Sequence, residues 1–180
     1  MATNPSLMQG RLEMRAAEIE GAIVRVAARF PEVNVADTLI LRMLMLLGRE
    51  LSSLLEHALA PHDLNDTDFR ILMSLVSQPD SVACPSDLCA FVAQSPANMT
   101  RVADALSERG LITRTASELD RRRTMLRITP EGEALSRSLF PVVTAIVRGV
   151  FGDMPQSSRR ALLEQLRALT VQIDRHDPSR

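Results

Sequence analysis

Apolar residues recur at helical spacing along most of the chain, and prolines and capping side chains divide that pattern into seven predicted helices. The predicted helices cover residues 7–30, 38–59, 66–77, 85–93, 96–109, 130–151 and 156–173. Between the fifth and sixth helices, Leu111–Thr115 and Thr124–Ile128 alternate well enough to be the two strands of a hairpin. The pattern therefore predicts a mostly α fold with a small hairpin, in the α+β class.

The stretch from Ala83 to Thr129 carries the clearest local signals. Ser95 is a predicted N-cap followed by Pro96 at the first helical position, and Gly110 supplies the left-handed residue that ends the helix. The inward face of this helix is formed by Met99, Val102, Ala103 and Leu106. In the short helix before it we expect Leu88, Phe91 and Val92 to point inward. Two short helices followed by a hairpin predict a winged helix-turn-helix.

Other helix boundaries follow from capping chemistry and proline. Asn65 and Asp68 form a capping-box-like pattern at the start of the third helix. Thr129 precedes Pro130 at the start of the sixth helix, as an N-cap would. Pro141 lies inside that helix, and we expect it to kink the helix or split it in two.

The second predicted helix, with Asp37 as its N-cap, is apolar on nearly every side between Leu39 and Leu47. Such a helix is buried from several directions. In a chain of 180 residues the expected cover is a second subunit, and a central helix of a monomer is the alternative. The last helix carries an apolar stripe of its own at Leu162, Leu163, Leu166 and Leu169.

The net charge of −1 taken alone argues against a nucleic-acid binder, but the charges are unevenly distributed. Between Ser95 and Pro130, seven arginines and four acidic residues give a local charge of +3, so the remainder carries −4. The chain contains no lysine, and a GC-rich genome is the favoured explanation, but the planar fork of arginine also suits contacts to phosphate and guanine. We therefore expect double-stranded DNA as a partner.

Base readout needs short polar side chains and arginine at the start of a helix that enters the major groove. The candidates are Ser95, Asn98, Thr100 and Arg101. At the tip of the predicted hairpin, Arg121, Arg122 and Arg123 can reach phosphates or the narrow minor groove. An isolated arginine run is usually a solvated loop, but its position on a predicted wing favours a contact with DNA.

Five segments along the chain carry recognisable motifs: residues 65–76, 85–88 and 95–112, the Asp120-Arg121-Arg122 signature, and residues 126–132 with the pattern Leu-x-Ile-Thr-x-x-Gly. Together they resemble the MarR family of bacterial transcription regulators. Further positions are similar to the EmrR (MprA) subgroup of that family: Phe30-Pro31, residues 40–44, residues 95–104 and residues 139–141. The resemblance covers most of the chain in the order that the family shows.

The resemblance implies a winged helix-turn-helix with N- and C-terminal dimerisation helices. On this basis we expect three regions: residues 1–62 with an N-terminal extension and dimerisation helices, 63–130 as the DNA-binding lobe, and 131–180 as C-terminal dimerisation helices. It implies a homodimer on a pseudo-palindromic operator, repressing a multidrug-efflux operon until a small hydrophobic, often anionic or phenolic, inducer binds. The inducer would lie between the dimerisation helices and the DNA lobe, and the candidate lining residues are Met43, Leu47 and Met73. For the methionines, a place in the hydrophobic core is the favoured alternative.

Cys84 and Cys89 leave an alternative open, a thiol-based regulator of the oxidative-stress response. Cys84 departs from the family pattern, which commonly has Ser or Thr at this helix start. A thiol near a helix N-terminus has a lowered pKa and is therefore oxidised more readily. Oxidation at this position would distort the DNA-binding region. The competing interpretation is that Cys89 is a small core residue and Cys84 an incidental loop thiol.

Other function classes find little support. The three histidines make no ligand set, and no nucleophile–base pair, phosphate loop or HExxH motif occurs, so we expect no metal, no cofactor and no enzyme activity. Without a signal peptide or an uncharged apolar run of membrane length, we expect a cytoplasmic protein with no membrane partner. A helical protein-interaction module that no longer binds DNA is the alternative from another class.

Overall fold

The computed structural model describes residues 5–116 and 123–176, and it confirms the mostly helical class with a small antiparallel sheet. Its helices are α1 (Pro5–Ala27), α2 (Val35–Leu59), α3 (Asp66–Ser77), α4 (Pro85–Val92), α5 (Pro96–Glu108), α6 (Pro130–Phe151) and α7 (Gln156–His176). Its strands are β1 (Val82–Ala83), β2 (Ile112–Ala116) and β3 (Thr124–Ile128). The chain divides into two compact units, Met1–Glu56 and His57–Arg180.

The first unit contains α1 and most of α2. The Asn34 side-chain oxygen accepts a hydrogen bond from the Asp37 backbone N–H at 3.1 Å, so Asn34 caps α2 and the prediction of Asp37 as N-cap was wrong. Both residue types suit a cap, but Asp37 lies in the first turn, where its charge is favourable to the helix dipole. Arg15 of α1 and Glu50 of α2 form an ion pair at 2.7 Å.

The apolar part of α2 is only partly covered. Leu46 is buried, but five large side chains between residues 39 and 47 are exposed: Ile40, Leu41, Leu44, Met45 and Leu47. Exposure of so much contiguous apolar surface is unfavourable in water and is typical of surfaces that bind another molecule.

The second unit is built around one hydrophobic core. Its largest fully buried apolar side chains are Leu59, Ile71, Leu72, Leu75, Leu88, Val92, Met99, Leu106, Ile112, Leu126 and Leu139. The end of α2, helices α3 to α6 and the sheet all contribute to it. The core therefore fixes the short helices and the hairpin as one rigid body.

The sheet has the strand order β1-β3-β2, with all pairs antiparallel. The two predicted strands of the hairpin are confirmed, and their register pairs Ile112 with Ile128 and Ala116 with Thr124. Strand β1, which pairs Val82 with Arg127, was not predicted, because two residues are too few to show a period of two.

The hairpin packs tightly against the start of α6. The Thr129 hydroxyl accepts from the Gly132 backbone N–H at 3.0 Å, the predicted N-cap, and donates to the Gly110 carbonyl at 2.7 Å. A Cβ on Gly132 would collide with the Leu111 carbonyl oxygen and press on the Ile128 side chain. This close approach is the physical reason for a glycine in the Leu-x-Ile-Thr-x-x-Gly pattern.

The predicted placement of the Phe91 side chain was wrong, and the predicted split of the sixth helix does not occur. Phe91 was expected inward with Leu88 and Val92, but its side chain is 65% exposed. In a helix of eight residues the buried face is narrow, and the i, i+4 pair Leu88 and Val92 fills it. Helix α6 continues through Pro141 from Pro130 to Phe151, so it is not split in two, and a kink at Pro141 stays a prediction.

The apolar surface of α6 and α7 is mostly uncovered. By length and composition alone, α6 is long and apolar enough to cross a membrane. Only 11% of its most apolar stretch is buried. The first turns of α6 enter the core through Gly132, Ser136 and Leu139, as a helix of a folded domain does. None of the residues of α7 is buried.

Candidate nucleic-acid interface

Helix α5 has one buried face and one exposed polar face. Its predicted inward residues Met99, Val102, Ala103 and Leu106 are all buried. Pro96 occupies the first turn, and the Ser95 hydroxyl accepts from the Asn98 backbone N–H at 3.3 Å, which confirms the predicted cap. Thr100 and Arg101 lie on the exposed face, with Asp104 one turn further along. The core thus holds α5 by one side and presents polar groups on the other.

A chain of polar contacts runs from the exposed face of α5 back to α3. Arg101 donates to the Asn98 side-chain oxygen from Nε at 3.2 Å and from Nη2 at 2.9 Å. The Asn98 side-chain amide donates to Gln94 at 2.6 Å, and the Gln94 amide lies 3.5 Å from the Thr67 hydroxyl. Gln94 was not among the predicted site residues, because its role depends on a partner 27 residues away.

The predicted wing is only partly described. Arg121 and Arg122 lie outside the described residues. Arg123 is exposed just before β3, and its Nη2 lies 3.5 Å from the Cys84 sulfur. The base of the wing is therefore in contact with the start of α4.

Three other arginines in the basic stretch make contacts within the protein. Arg109 donates to the backbone carbonyls of His62 and Asp63, where the chain passes from α2 to α3. Arg114 forms an ion pair with Asp104 at 2.8 Å and donates to the Thr100 carbonyl at 3.3 Å. Arg127 donates to the Asp80 carbonyl at 3.0 Å. The count of positive charges in the sequence therefore overstates the number available to phosphates.

Cys84 occupies the N-cap position of α4 without forming a side-chain cap. Its sulfur is 3.0 Å from the Ser86 hydroxyl. That hydrogen bond lowers the pKa of the Cys84 thiol most; partial burial raises the pKa, and the Ser86 backbone N–H and the Arg123 guanidinium lower it, so the pKa lies below its ordinary value. Cys84 and Cys89 are both free thiols, and Cys89 packs against the core.

The three predicted pocket residues fall in different parts of the chain. Met43 and Leu47 lie on α2 in the first unit, and Leu47 is exposed. Met73 lies on α3 and packs against the core of the second unit.

Within the second unit, a groove of about 530 Å³ along α6 is lined by Arg137, Phe140, Pro141, Thr144, Ala145 and Arg148. A second groove of about 280 Å³, between α3 and α6, is lined by Val76, Glu133, Ser136, Arg137 and Phe140.

Metal chemistry finds no support in the part of the chain that the structure describes. No group of three or more His, Cys, Asp or Glu side chains there is placed to hold an ion. The exposed face of α5 carries polar and guanidinium groups, which are suited to recognising another molecule by hydrogen bonds and charge.

Comparison with known sequences identifies related regulators. Residues 62–123 match the sequence model described as the MarR family. The chain is 28% identical over 148 residues to the transcriptional repressor MprA of Escherichia coli K12, which covers 82% of this chain and 84% of MprA. It is 30% identical over 104 residues to the HTH-type transcriptional regulator MhqR of Bacillus subtilis, which covers 56% of this chain and 70% of MhqR.

Solved structures agree on the fold. AbsC, a MarR family regulator from Streptomyces coelicolor, has a TM-score of 0.73 at 24% identity and covers 79% of this chain and 97% of AbsC. Sco3205 from the same organism, solved in complex with DNA, has a TM-score of 0.72 at 18% identity, with coverage of 77% and 88%. CouR from Rhodococcus jostii, solved bound to p-coumaroyl-CoA, has a TM-score of 0.64 at 24% identity, with coverage of 71% and 88%.

Proposed function

The chain belongs to the MarR family of transcription regulators, and from that premise we propose that it represses a multidrug-efflux operon and leaves its operator when a small hydrophobic or phenolic compound binds. Members of the family are DNA-binding regulators and not enzymes, and this chain is a repressor of that type. Its place of action is the cytoplasm, where the operator is.

The observation that carries the proposal is the exposed polar face of α5. Ser95 and Pro96 fix the start of the helix, the core fixes its rotation, and Thr100 and Arg101 face outward. A helix of this kind fits the major groove of DNA with its first turns against the bases. Arg121, Arg122 and Arg123 of the wing then contact the backbone or minor groove beside it.

We further propose that two copies act together. The exposed apolar side chains of α2 and of α7 are the surfaces that a second subunit would cover. Two α5 helices related by a twofold axis would occupy successive major grooves, about 34 Å apart, and so require a pseudo-palindromic operator. DNA affinity then depends on dimer geometry as well as on individual contacts.

Release by a ligand follows from that dependence. A ligand that binds more tightly to a dimer with the wrong α5 spacing shifts the population away from the DNA-bound form. CouR, solved with p-coumaroyl-CoA, is a structural neighbour that binds an aromatic compound, which supports this mode of control. The candidate ligand contacts in this chain are Met43, Leu47 and Met73, and the grooves beside α6 offer further apolar surface.

A gel-shift experiment with the DNA upstream of the gene tests the proposal. We expect binding that weakens steeply with salt, because phosphate contacts release counterions. Addition of a phenolic uncoupler or a salicylate-like acid should release the DNA, and an aliphatic alcohol of similar size is the control compound. Absence of salt-dependent binding would refute the DNA-binding proposal, whereas binding that no aromatic compound affects would refute only the mode of release.

A second candidate is the thiol-based regulator, favoured by the contact of Cys84 with Ser86 and with Arg123 at the base of the wing. A thiolate at this position would attack one oxygen of hydrogen peroxide and break the O–O bond, giving a sulfenic acid and hydroxide. The added oxygen would disturb the contact with Arg123. This candidate is wrong if replacing both Cys84 and Cys89 by serine leaves the response of DNA binding to peroxide unchanged.

The pH dependence of alkylation tests the state of the thiol. In a Cys89→Ser background, the rate of reaction of Cys84 with iodoacetamide should rise with pH and reach half of its plateau at a lower pH than that of an unperturbed thiol. The reason is the lowered pKa, caused first by the Ser86 hydroxyl. Ser86→Ala should move that midpoint to higher pH, and an unmoved midpoint would contradict the assigned cause.

A further inference from the structure

We propose that Gln94 is a positioning residue: acting through Asn98, it sets which edge of the Arg101 guanidinium faces the operator, and that edge recognises a guanine. The inference rests on the proposed DNA-binding function. It assigns a role to a residue that was not among those predicted to contact DNA. It also changes the role of Asn98 from a base contact to a support for Arg101.

The direction of every hydrogen bond in this chain of contacts follows from arginine chemistry. A guanidinium can only donate, so the Asn98 atom facing Arg101 must be the carbonyl oxygen Oδ1. The Asn98 amide Nδ2 therefore faces Gln94 and donates to its Oε1 at 2.6 Å. That leaves the Gln94 Nε2 to face the Thr67 hydroxyl at 3.5 Å. Only one orientation of each amide satisfies all of these contacts.

This arrangement decides which part of Arg101 is available to DNA. The side edge, formed by Nε and one N–H of Nη2, is occupied by the single oxygen Oδ1 of Asn98. The terminal edge, formed by Nη1 and the other N–H of Nη2, carries two parallel donors. Two parallel donors match the O6 and N7 acceptors of guanine in the major groove, and no other base presents that pair of acceptors.

Asn98 itself is poorly suited to read a base. Its oxygen accepts from Arg101 and its amide donates to Gln94, so both ends of the group that would recognise an adenine are engaged. Its side chain is half-buried, whereas that of Arg101 is exposed. The base contact from this turn of α5 is thus made by Arg101.

The far end of the chain of contacts is anchored to the core. Ala93 has a left-handed backbone with φ of 53° that ends α4, and the Gln94 N–H donates to the Cys89 carbonyl at 3.0 Å. Thr67 lies in the first turn of α3, which the reciprocal capping of Asn65 and Asp68 holds in place. Arg101 is therefore ordered before DNA arrives, and less side-chain entropy is lost on binding.

The test measures recognition of one guanine separately from overall affinity. Selection from a random duplex library with the wild-type protein defines the half-site. Fluorescence anisotropy then gives Kd for the selected duplex and for duplexes in which each guanine in turn is replaced by 7-deazaguanine, which lacks the N7 acceptor. We expect one guanine in each half-site whose replacement weakens wild-type binding roughly tenfold, an effect that Arg101→Ala should abolish.

We call the guanine ratio the Kd for the duplex with 7-deazaguanine at that position divided by the Kd for the selected duplex. Gln94→Ala should reduce the guanine ratio to about twofold. The slope of log K against log salt, which reports phosphate contacts, should stay unchanged. Gln94→Glu keeps an acceptor for Asn98, so it should restore the guanine ratio but bind all duplexes more weakly because of its added charge. Thr67→Val, which removes only the long contact, should lower the ratio less. Gln78→Ala, an exposed glutamine at the end of α3, is the matched control and should behave as wild type.

Equal weakening of every duplex by Gln94→Ala, with the guanine ratio intact, would overturn the inference, because that is the result of a merely structural role. So would an Arg101→Ala variant that retains the ratio. Circular dichroism and a melting curve of each variant confirm that it is folded. Failure of the wild-type protein to select any duplex would instead refute the proposed DNA-binding function, and this inference with it.

Discussion

Helices α5 and α7 carry the same kind of apolar stripe, and the fold treats the two stripes in opposite ways. In α5, Met99, Val102, Ala103 and Leu106 are at most 2% exposed. In α7, Leu162, Leu163 and Leu166 are 41%, 47% and 37% exposed. Full burial of one leucine is worth roughly 1.5–3 kcal/mol, so α7 retains apolar surface that a partner can use.

The difference separates folding from assembly. The stripe of α5 stabilises the second unit directly, and its burial fixes which polar side chains face outward. The stripe of α7 contributes little to the folding of one chain but a great deal to any association that covers it. A repressor that responds to a ligand benefits from this separation, because the dimer geometry can change while the DNA-reading surface stays intact.

The largest effect should come from removing part of the buried stripe. Leu106→Ala should lower the free energy of unfolding by about 2–5 kcal/mol, because it leaves a cavity in the core. Urea unfolding followed by circular dichroism measures the change, and the shift should be the same at every protein concentration. Leu163→Ala on α7 is the matched control. If both variants lost the same stability in the isolated chain, the contrast between the helices would be wrong.

A charged pair in the exposed stripe should act on assembly. Leu163→Glu combined with Leu166→Glu retains good helix formers but would place two carboxylates in an apolar interface. We expect the dimer dissociation constant to rise by at least about 100-fold, equivalent to roughly 2.7 kcal/mol. Analytical ultracentrifugation measures this constant, and Glu164→Gln on the same helix is the control. A variant that remains dimeric at nanomolar concentration would show that α7 is not part of the interface.

Loss of the cap tests how locally the start of α5 is determined. Ser95→Ala removes the acceptor for the Asn98 N–H and should cost about 1 kcal/mol of stability. Hydrogen exchange should show faster opening of the first turn of α5, and DNA binding should weaken because Asn98 and Arg101 lie just beyond it. Unchanged exchange in that turn would mean that packing of Met99 alone holds the helix start.

The smallest effect is expected at the exposed phenylalanine of α4. Phe91→Ser should change the free energy of unfolding by no more than about 0.5 kcal/mol, because the ring is 65% exposed. Its neighbour Val92 is 0% exposed, and Val92→Ala should cost about 1–3 kcal/mol. Thermal unfolding of the two variants measures both losses of stability and shows which is larger. A larger loss for Phe91→Ser than for Val92→Ala would mean that α4 is rotated relative to its described position.

Much of the fold was predictable because helix boundaries depend on neighbouring residues. The reciprocal cap of Asn65 and Asp68 and the cap of Thr129 on Gly132 link groups three residues apart. The error at Asp37 arose because Asn34, three residues earlier, has the same capping chemistry. Strand β1 was missed because its pairing with β3 depends on residues more than 40 positions later.

The candidate site was predictable in type more than in arrangement. Exposure of Thr100 and Arg101 follows from the same periodicity that buries Met99 and Val102. The use of Arg109 to hold the His62 and Asp63 carbonyls could not be predicted, because the partners lie 46 and 47 residues away. An arginine in a basic stretch looks the same in the sequence whether it meets a phosphate or a carbonyl.

By itself the sequence determined the helices, most of their caps, the two strands of the hairpin and the polar face of α5, because these depend on residues within a few positions of each other. Only the tertiary structure decided which apolar stripes are covered and which polar groups already have partners. Leu106 and Leu166 are equivalent in pattern, yet one is buried and the other is exposed. Gln94 and Thr67 acquire a role only because the core brings α3 and the start of α5 within hydrogen-bonding distance.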